Sequence, residues 1–120
     1  MILLDTHAVI WLLAGHKRAR SLPQRARLYA SPSSLLELRF LEEIGRIRLK
    51  TTLEAVQEDG RFAFDDPSST TLFKAAADLP WTRDPFDRLI VGHARMRGWR
   101  LATADALIIE HLPAAALVEL

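Results

Sequence analysis

Apolar residues follow two rhythms along this chain. Short consecutive apolar runs, such as Ile2-Leu3-Leu4 and Leu101-Ala102, have the length of strands buried on both faces. Longer segments place apolar residues three and four apart, as Leu35, Leu38, Leu41, Phe40 and Ile44 do, which is the spacing of one helix face. The pattern predicts a strand over residues 2–5 and a helix over Thr6–Ala14 stopped by Gly15. Residues 16–27 are basic, contain Pro23 and read as a loop or a short helix, followed by a strand at Arg27–Ser31. A helix is expected to start at Ser33-Ser34 and to reach about Ile44, before Gly45. Another is expected over Thr51–Asp59 with Gly60 as its stop, then a short alternating strand over Arg61–Asp65. Ser68–Ala77 reads as helical, and Asp84-Pro85 opens a helix that runs to Arg97 and closes at Gly98. A strand at Arg100–Ala104, a short helix at Ala106–His111 and a strand at Ala116–Leu120 complete the series.

Strands that alternate with helices predict an α/β fold with a mostly parallel sheet covered on both faces. In such folds the site lies at the carboxyl ends of the strands. The 120 residues show no repeat, low-complexity tract or linker, so a single domain over 1–120 is expected. Hydrophobic residues make up 49%, which excludes a disordered chain. The apolar run Ala8–Ala14 is too short to span a bilayer, and no basic segment precedes Asp5, so neither a membrane span nor a signal peptide is expected. The absence of cysteine excludes disulfides, thiolate zinc sites and cysteine nucleophiles, and agrees with a cytoplasmic protein.

Four acids stand at the boundaries of these elements. Asp5 and Asp105 end apolar runs, while Glu37 and Asp87 lie near the starts of two helices. Brought to one edge of a sheet, four carboxylates repel one another unless a cation neutralises them, and Mg²⁺ prefers such hard oxygen ligands. Each acid also has a structural explanation. Asp5 and Asp105 suit helix N-caps, Ser34-Leu35-Leu36-Glu37 matches a capping box, and Asp87 suits the helix dipole. Asp84 reads mainly as the cap before Pro85, with contact to a metal or its water as the other reading. Thr6 and Thr103 adjoin Asp5 and Asp105 in sequence, where their hydroxyls could orient a carboxylate or a water, or be ordinary element-end threonines. The four histidines show no metal-binding spacing, and Trp11, Trp81 and Trp99 are expected in the core or an interface.

Net charge is only +1, but its distribution is uneven. No acid occurs between Thr6 and Leu36, a stretch that holds Lys17, Arg18, Arg20, Arg25 and Arg27. Such a lobe beside an acidic site suits a nucleic-acid backbone, although a solvated loop explains the run as well.

Taken together these residues resemble the PIN-domain family. Ile2-Leu3-Leu4-Asp5-Thr6-His7 is similar to its opening, Ser34-Leu35-Leu36-Glu37-Leu38 to its second acidic motif, and Leu101-Ala102-Thr103-Ala104-Asp105 to its last. Arg83-Asp84-Pro85-Phe86-Asp87-Arg88-Leu89-Ile90 is the most specific stretch and resembles the VapC-like toxins of type II toxin–antitoxin pairs. The resemblance covers essentially the whole chain. It implies a three-layer α/β/α sandwich and an endoribonuclease dependent on Mg²⁺ or Mn²⁺, with one or two ions. It implies a cognate antitoxin, and a homodimer. It aligns Asp5, Glu37, Asp87 and Asp105 with the catalytic acids, with Asp5, Asp87 and Asp105 as metal ligands. Three departures stand out: a shortened segment before Ser33, Leu36 where a Trp is frequent, and Gly92-His93 in place of a more usual Ala-Gln pair.

The chemistry expected is hydrolysis of an RNA phosphodiester by metal-activated water. A dehalogenase-type phosphatase would need a second acid where His7 stands, and a receiver domain would need paired acids near the first strand and a late lysine. The alternatives kept are a PIN nuclease of RNA processing and an inactive module that binds antitoxin or RNA. Idle like charges would tend to destabilise the latter.

Overall fold

The computed structural model describes residues 1–120. Its strands are β1 (Ile2–Leu4), β2 (Leu28–Ala30), β3 (Ala63–Phe64), β4 (Arg100–Thr103) and β5 (Leu117–Glu119). Its helices are α1 (Thr6–Ala14), α2 (Pro32–Glu43), α3 (Leu53–Gln57), α4 (Ser69–Ala77), α5 (Pro85–Arg97) and α6 (Ala106–His111). The strands form one sheet in the order β3-β2-β1-β4-β5, and every neighbouring pair is parallel. The expected α/β architecture is therefore present, and its sheet is wholly parallel.

The pleat of β1 divides the interior. Ile2 and Leu4 face one core with Val9 of α1, Leu38 of α2 and Val56 of α3. Leu3 faces the other, with Ile90, Val91 and Ala94 of α5 and Ile108 of α6. Helices thus cover both faces of the sheet, as the continuous apolar run at Ile2–Leu4 requires.

The strand order positions the site. From β1 the chain steps outward to β2 and β3, then returns to place β4 on the other flank of β1. The direction of travel reverses between β1 and β4. At such a reversal the neighbouring connections leave in opposite directions and open a crevice at the carboxyl ends of the strands. Asp5 follows β1 and Asp105 lies two residues after β4, so both stand at that crevice.

Some boundaries differ from those read off the sequence. Helix α2 begins at Pro32, capped by Ser31, whose side chain accepts from Ser33 N–H. Ser34 is therefore inside the helix and Glu37 belongs to no capping box; the buried Ser34 hydroxyl instead meets the Thr6 hydroxyl at 2.9 Å. The basic segment supplies a 3₁₀ turn at Lys17–Ser21, which accounts for its shortness before α2. Helix α3 is limited to Leu53–Gln57 and β3 to two residues.

Gly92 has a packing role. A Cβ there would lie 2.9 Å from the Ala76 backbone nitrogen, so only glycine lets α4 and α5 approach this closely. No helix is long and apolar enough to cross a membrane.

Candidate active site

Asp5, Glu37, Asp84, Asp87 and Asp105 line one cavity of about 350 Å³. They arrive from separate places in the chain, and helix starts deliver four of them. Asp5 caps α1 by accepting from Ala8 N–H at 2.7 Å through Oδ1. Asp84 caps α5, where Pro85 occupies the first turn, and accepts from Phe86 N–H at 2.8 Å. Asp105 caps α6 by accepting from Leu107 N–H at 2.9 Å. Asp87 lies in the first turn of α5, and Glu37 projects from within α2. The cap and the functional reading of Asp5, Asp84 and Asp105 are therefore compatible, since each cap engages Oδ1.

Threonines secure this edge. The Thr103 hydroxyl accepts from Asp105 N–H at 3.0 Å, and the Thr82 hydroxyl accepts from Asp84 N–H at 3.3 Å. Arg88 Nε holds the same turn by donating to the Thr82 carbonyl at 2.8 Å. Thr6 and Thr103 are buried, and their hydroxyls favour the charged forms of Glu37 and Asp5 respectively.

The acids nevertheless resist ionisation together. Burial and then the charges of Asp84, Asp105, Glu37 and Asp5 push Asp87 up to about 7. Burial raises Asp5, against the Thr103 hydroxyl and the Ala8 N–H. Burial also raises Glu37, opposed by Thr6 and reinforced by Asp84. The carboxylates line the cavity without converging, and no three of them form a ready-made ligand set. The donors fit a hard divalent cation in kind: all are oxygens, and none is committed to a protein cation.

The cavity also holds residues not anticipated from sequence: His7, Trp11 and Arg46. His7 and Trp11 are one turn apart on α1, immediately after Asp5, and that spacing was the available signal. Arg46 had none; Gly45, at φ 75°, turns the chain beyond α2 and brings it there. Of the basic segment, Arg18 lines the cavity, whereas Lys17, Arg20, Arg25 and Arg27 are exposed outside its lining.

A second charged cluster lies further along α5. Asp65, just after β3, accepts from His93 Nε2 at 2.7 Å and from Arg97 Nε at 2.7 Å. His93 is fully buried and its Nδ1 has no partner, so the neutral ring with its proton on Nε2 suits the site. Burial holds its pKa down, against the pull of Asp65. Gly92 and His93, the departing pair, thus serve α4–α5 packing and this cluster.

A family model described as "PIN domain" matches residues 2–112. Among solved structures, the chain is similar to a toxin–antitoxin complex from Klebsiella pneumoniae, with TM-score 0.70 and 16% identity over 98% of this chain and 96% of that one. It is similar to VapBC2 from Rickettsia felis, solved bound to a DNA fragment from its promoter, with TM-score 0.68 and 18% identity over 100% and 99%. It also resembles VapC20 of Mycobacterium tuberculosis, a toxin that cleaves the sarcin–ricin loop, with TM-score 0.65 and 16% identity over 94% and 97%. No curated protein matches the chain in sequence. At these identities the solved structures establish the fold that the chain shares with them.

Proposed function

The chain belongs to the PIN domain family, and from that premise we propose that it is a metal-dependent endoribonuclease, the toxin of a type II toxin–antitoxin pair. The observation that carries the reading is the gathering of five carboxylates in one cavity at the β1/β4 reversal, with no protein cation paired to any of them. Asp5, Asp87 and Asp105 are the proposed ligands of Mg²⁺ or Mn²⁺, one or two ions, and Glu37 is the fourth catalytic acid. Bound there, the ion would activate a water for in-line attack and polarise the phosphoryl oxygen. The chain's own groups aim this chemistry. The Ala8 N–H orients Asp5, the Thr103 and Thr6 hydroxyls favour the charged forms of Asp5 and Glu37, and Asp84 fixes the start of α5 and so the position of Asp87. Attack by water leaves a 5′-phosphate and a 3′-hydroxyl.

The toxin reading leans on the solved relatives, described as a toxin–antitoxin complex, as VapBC2 and as a toxin that cleaves the sarcin–ricin loop. On that basis the partners are a cognate antitoxin that blocks the cavity and a second copy of the chain. Residues 1–120 act as a single PIN unit in the cytoplasm.

The test is cleavage of defined RNAs by antitoxin-free protein in Mg²⁺, Mn²⁺ or EDTA, beside Asp87→Asn. Metal-dependent cutting that the variant loses is expected. Equal cutting by the variant would overturn the assignment. No cutting together with no calorimetric Mg²⁺ binding would leave a binding-only module.

A further inference from the structure

Two guanidiniums share the cavity with five carboxylates, yet neither forms an ion pair. Arg18 and Arg46 both line it, and no salt bridge in the molecule includes either. The Arg18 guanidinium lies over the Trp11 ring, 5.1 Å from its centroid. His16 stacks on the same indole at 5.6 Å and 26°, and His7 stands tilted to it at 6.2 Å. The other two tryptophans are engaged elsewhere: Trp99 stacks on Tyr29 and Trp81 on His111, and both pack on the second core. Trp11 alone of the three borders the acidic cavity.

Acids that accept a cation, arginines free for anions and an aromatic ring, all in one recess, match the repeating parts of a single nucleotide strand. We propose that Trp11 is a stacking platform for a nucleobase next to the phosphate that is cut, with Arg18 and Arg46 on the flanking phosphates. The ligand class is single-stranded RNA, and the reference to a cut phosphate rests on the nuclease reading. Binding involves an exchange. Arg18 is exposed and only a weak cation–π contact holds it on the ring. A phosphate draws it away, and the base takes the face it leaves. The platform selects where the strand is cut through the strength of stacking at one position, without a hydrogen-bond code.

The test measures binding of labelled single-stranded RNA by fluorescence anisotropy, with Mg²⁺ present, on the full chain carrying Asp87→Asn so that the RNA stays whole. Adding Trp11→Leu should weaken binding by about 5- to 150-fold, the range for losing one stacked base, and Trp11→Phe should recover most of it. An abasic nucleotide scanned along the strand should weaken binding at one position, and Trp11→Leu should remove that dependence. Arg46→Gln should weaken binding at every register and flatten its salt dependence. Equal abasic penalties with and without the ring, or no binding of any strand, would overturn the platform. If Trp11→Leu fails to fold, judged by its thermal melt, the scan on the intact ring decides: no sensitive position overturns it. Cleavage by the protein without Asp87→Asn is read separately. A position-dependent strand that binds but is never cut removes the nuclease and leaves the platform standing.

Discussion

The two ends of α5 treat carboxylates in opposite ways. At its start, Asp87 shares a cavity with four other acids and no paired cation, and its pKa is pushed up to about 7. Near its end, His93 and Arg97 close on Asp65. There burial would raise the carboxyl, but the bonds from Arg97 and His93 outweigh it and hold Asp65 below its ordinary value. One helix therefore carries a charge problem solved within the chain and another left open. An acid paired by its own fold stabilises that fold, whereas unpaired acids held together imply a partner from outside.

The largest expected effect separates the two ends by activity. Asp87→Asn should lower RNA cleavage by more than about 100-fold, since even outer partners of a metal site are worth 10–100-fold. In EDTA above about pH 7 the same variant should melt at a higher temperature than the parent, because ionising Asp87 among four other acids costs the folded state stability. A lower melting temperature would break the comparison at its pocket end. Asp65→Ala should do the reverse. Cleavage stays close to that of the parent, while urea unfolding shows a loss of about 1.5–3 kcal/mol as two donors lose a charged acceptor. Gly92→Ala tests the span between the two ends. Its methyl would press on the Ala76 backbone, and overpacking of about 1–3 kcal/mol should exceed the roughly 1 kcal/mol gained in helix propensity. A variant as stable as the parent would mean that α4 gives way freely.

The smallest expected effect is in pH. His93 is depressed below its ordinary 6.5, so its contribution is complete above that pH and drains as pH falls toward the folded value. Asp65 is depressed below 3.8, so its contribution drains only at still lower pH. His93→Gln should keep a donor for Asp65 and flatten the fall in melting temperature as pH drops below about 6.5. An unchanged slope would show that His93 does not set it.

Legibility from sequence followed the range of the forces involved. Both ends of α5 could be read because their signals are local: Asp84-Pro85 opens it, and Gly98 at φ 68° closes it. The start of α2 carried the same signal in Ser31-Pro32, but the serines that follow drew the reading two residues too far. The acids could be singled out because caps and strand ends have short-range grammar, and the parallel sheet brings those ends to one edge. Arg46 could not, because the turn at Gly45 brings it to the cavity; Trp11 carried only its one-turn spacing from His7 and was expected in the core or an interface. The basic segment was readable as charge but not as direction, and Arg18 alone of its five named residues reaches the cavity.

The strand order also sets a schedule. The ribosome delivers Asp5, Glu37, Asp84 and Asp87 well before Asp105, and β4, which must pair with β1 to close the crevice, emerges only after residue 99. Until β4 pairs with β1, the chain holds those acids with no closed crevice to gather them. The nuclease proposed for this site would therefore stay idle until β4 docks on β1, even with Asp5, Glu37, Asp84 and Asp87 already made.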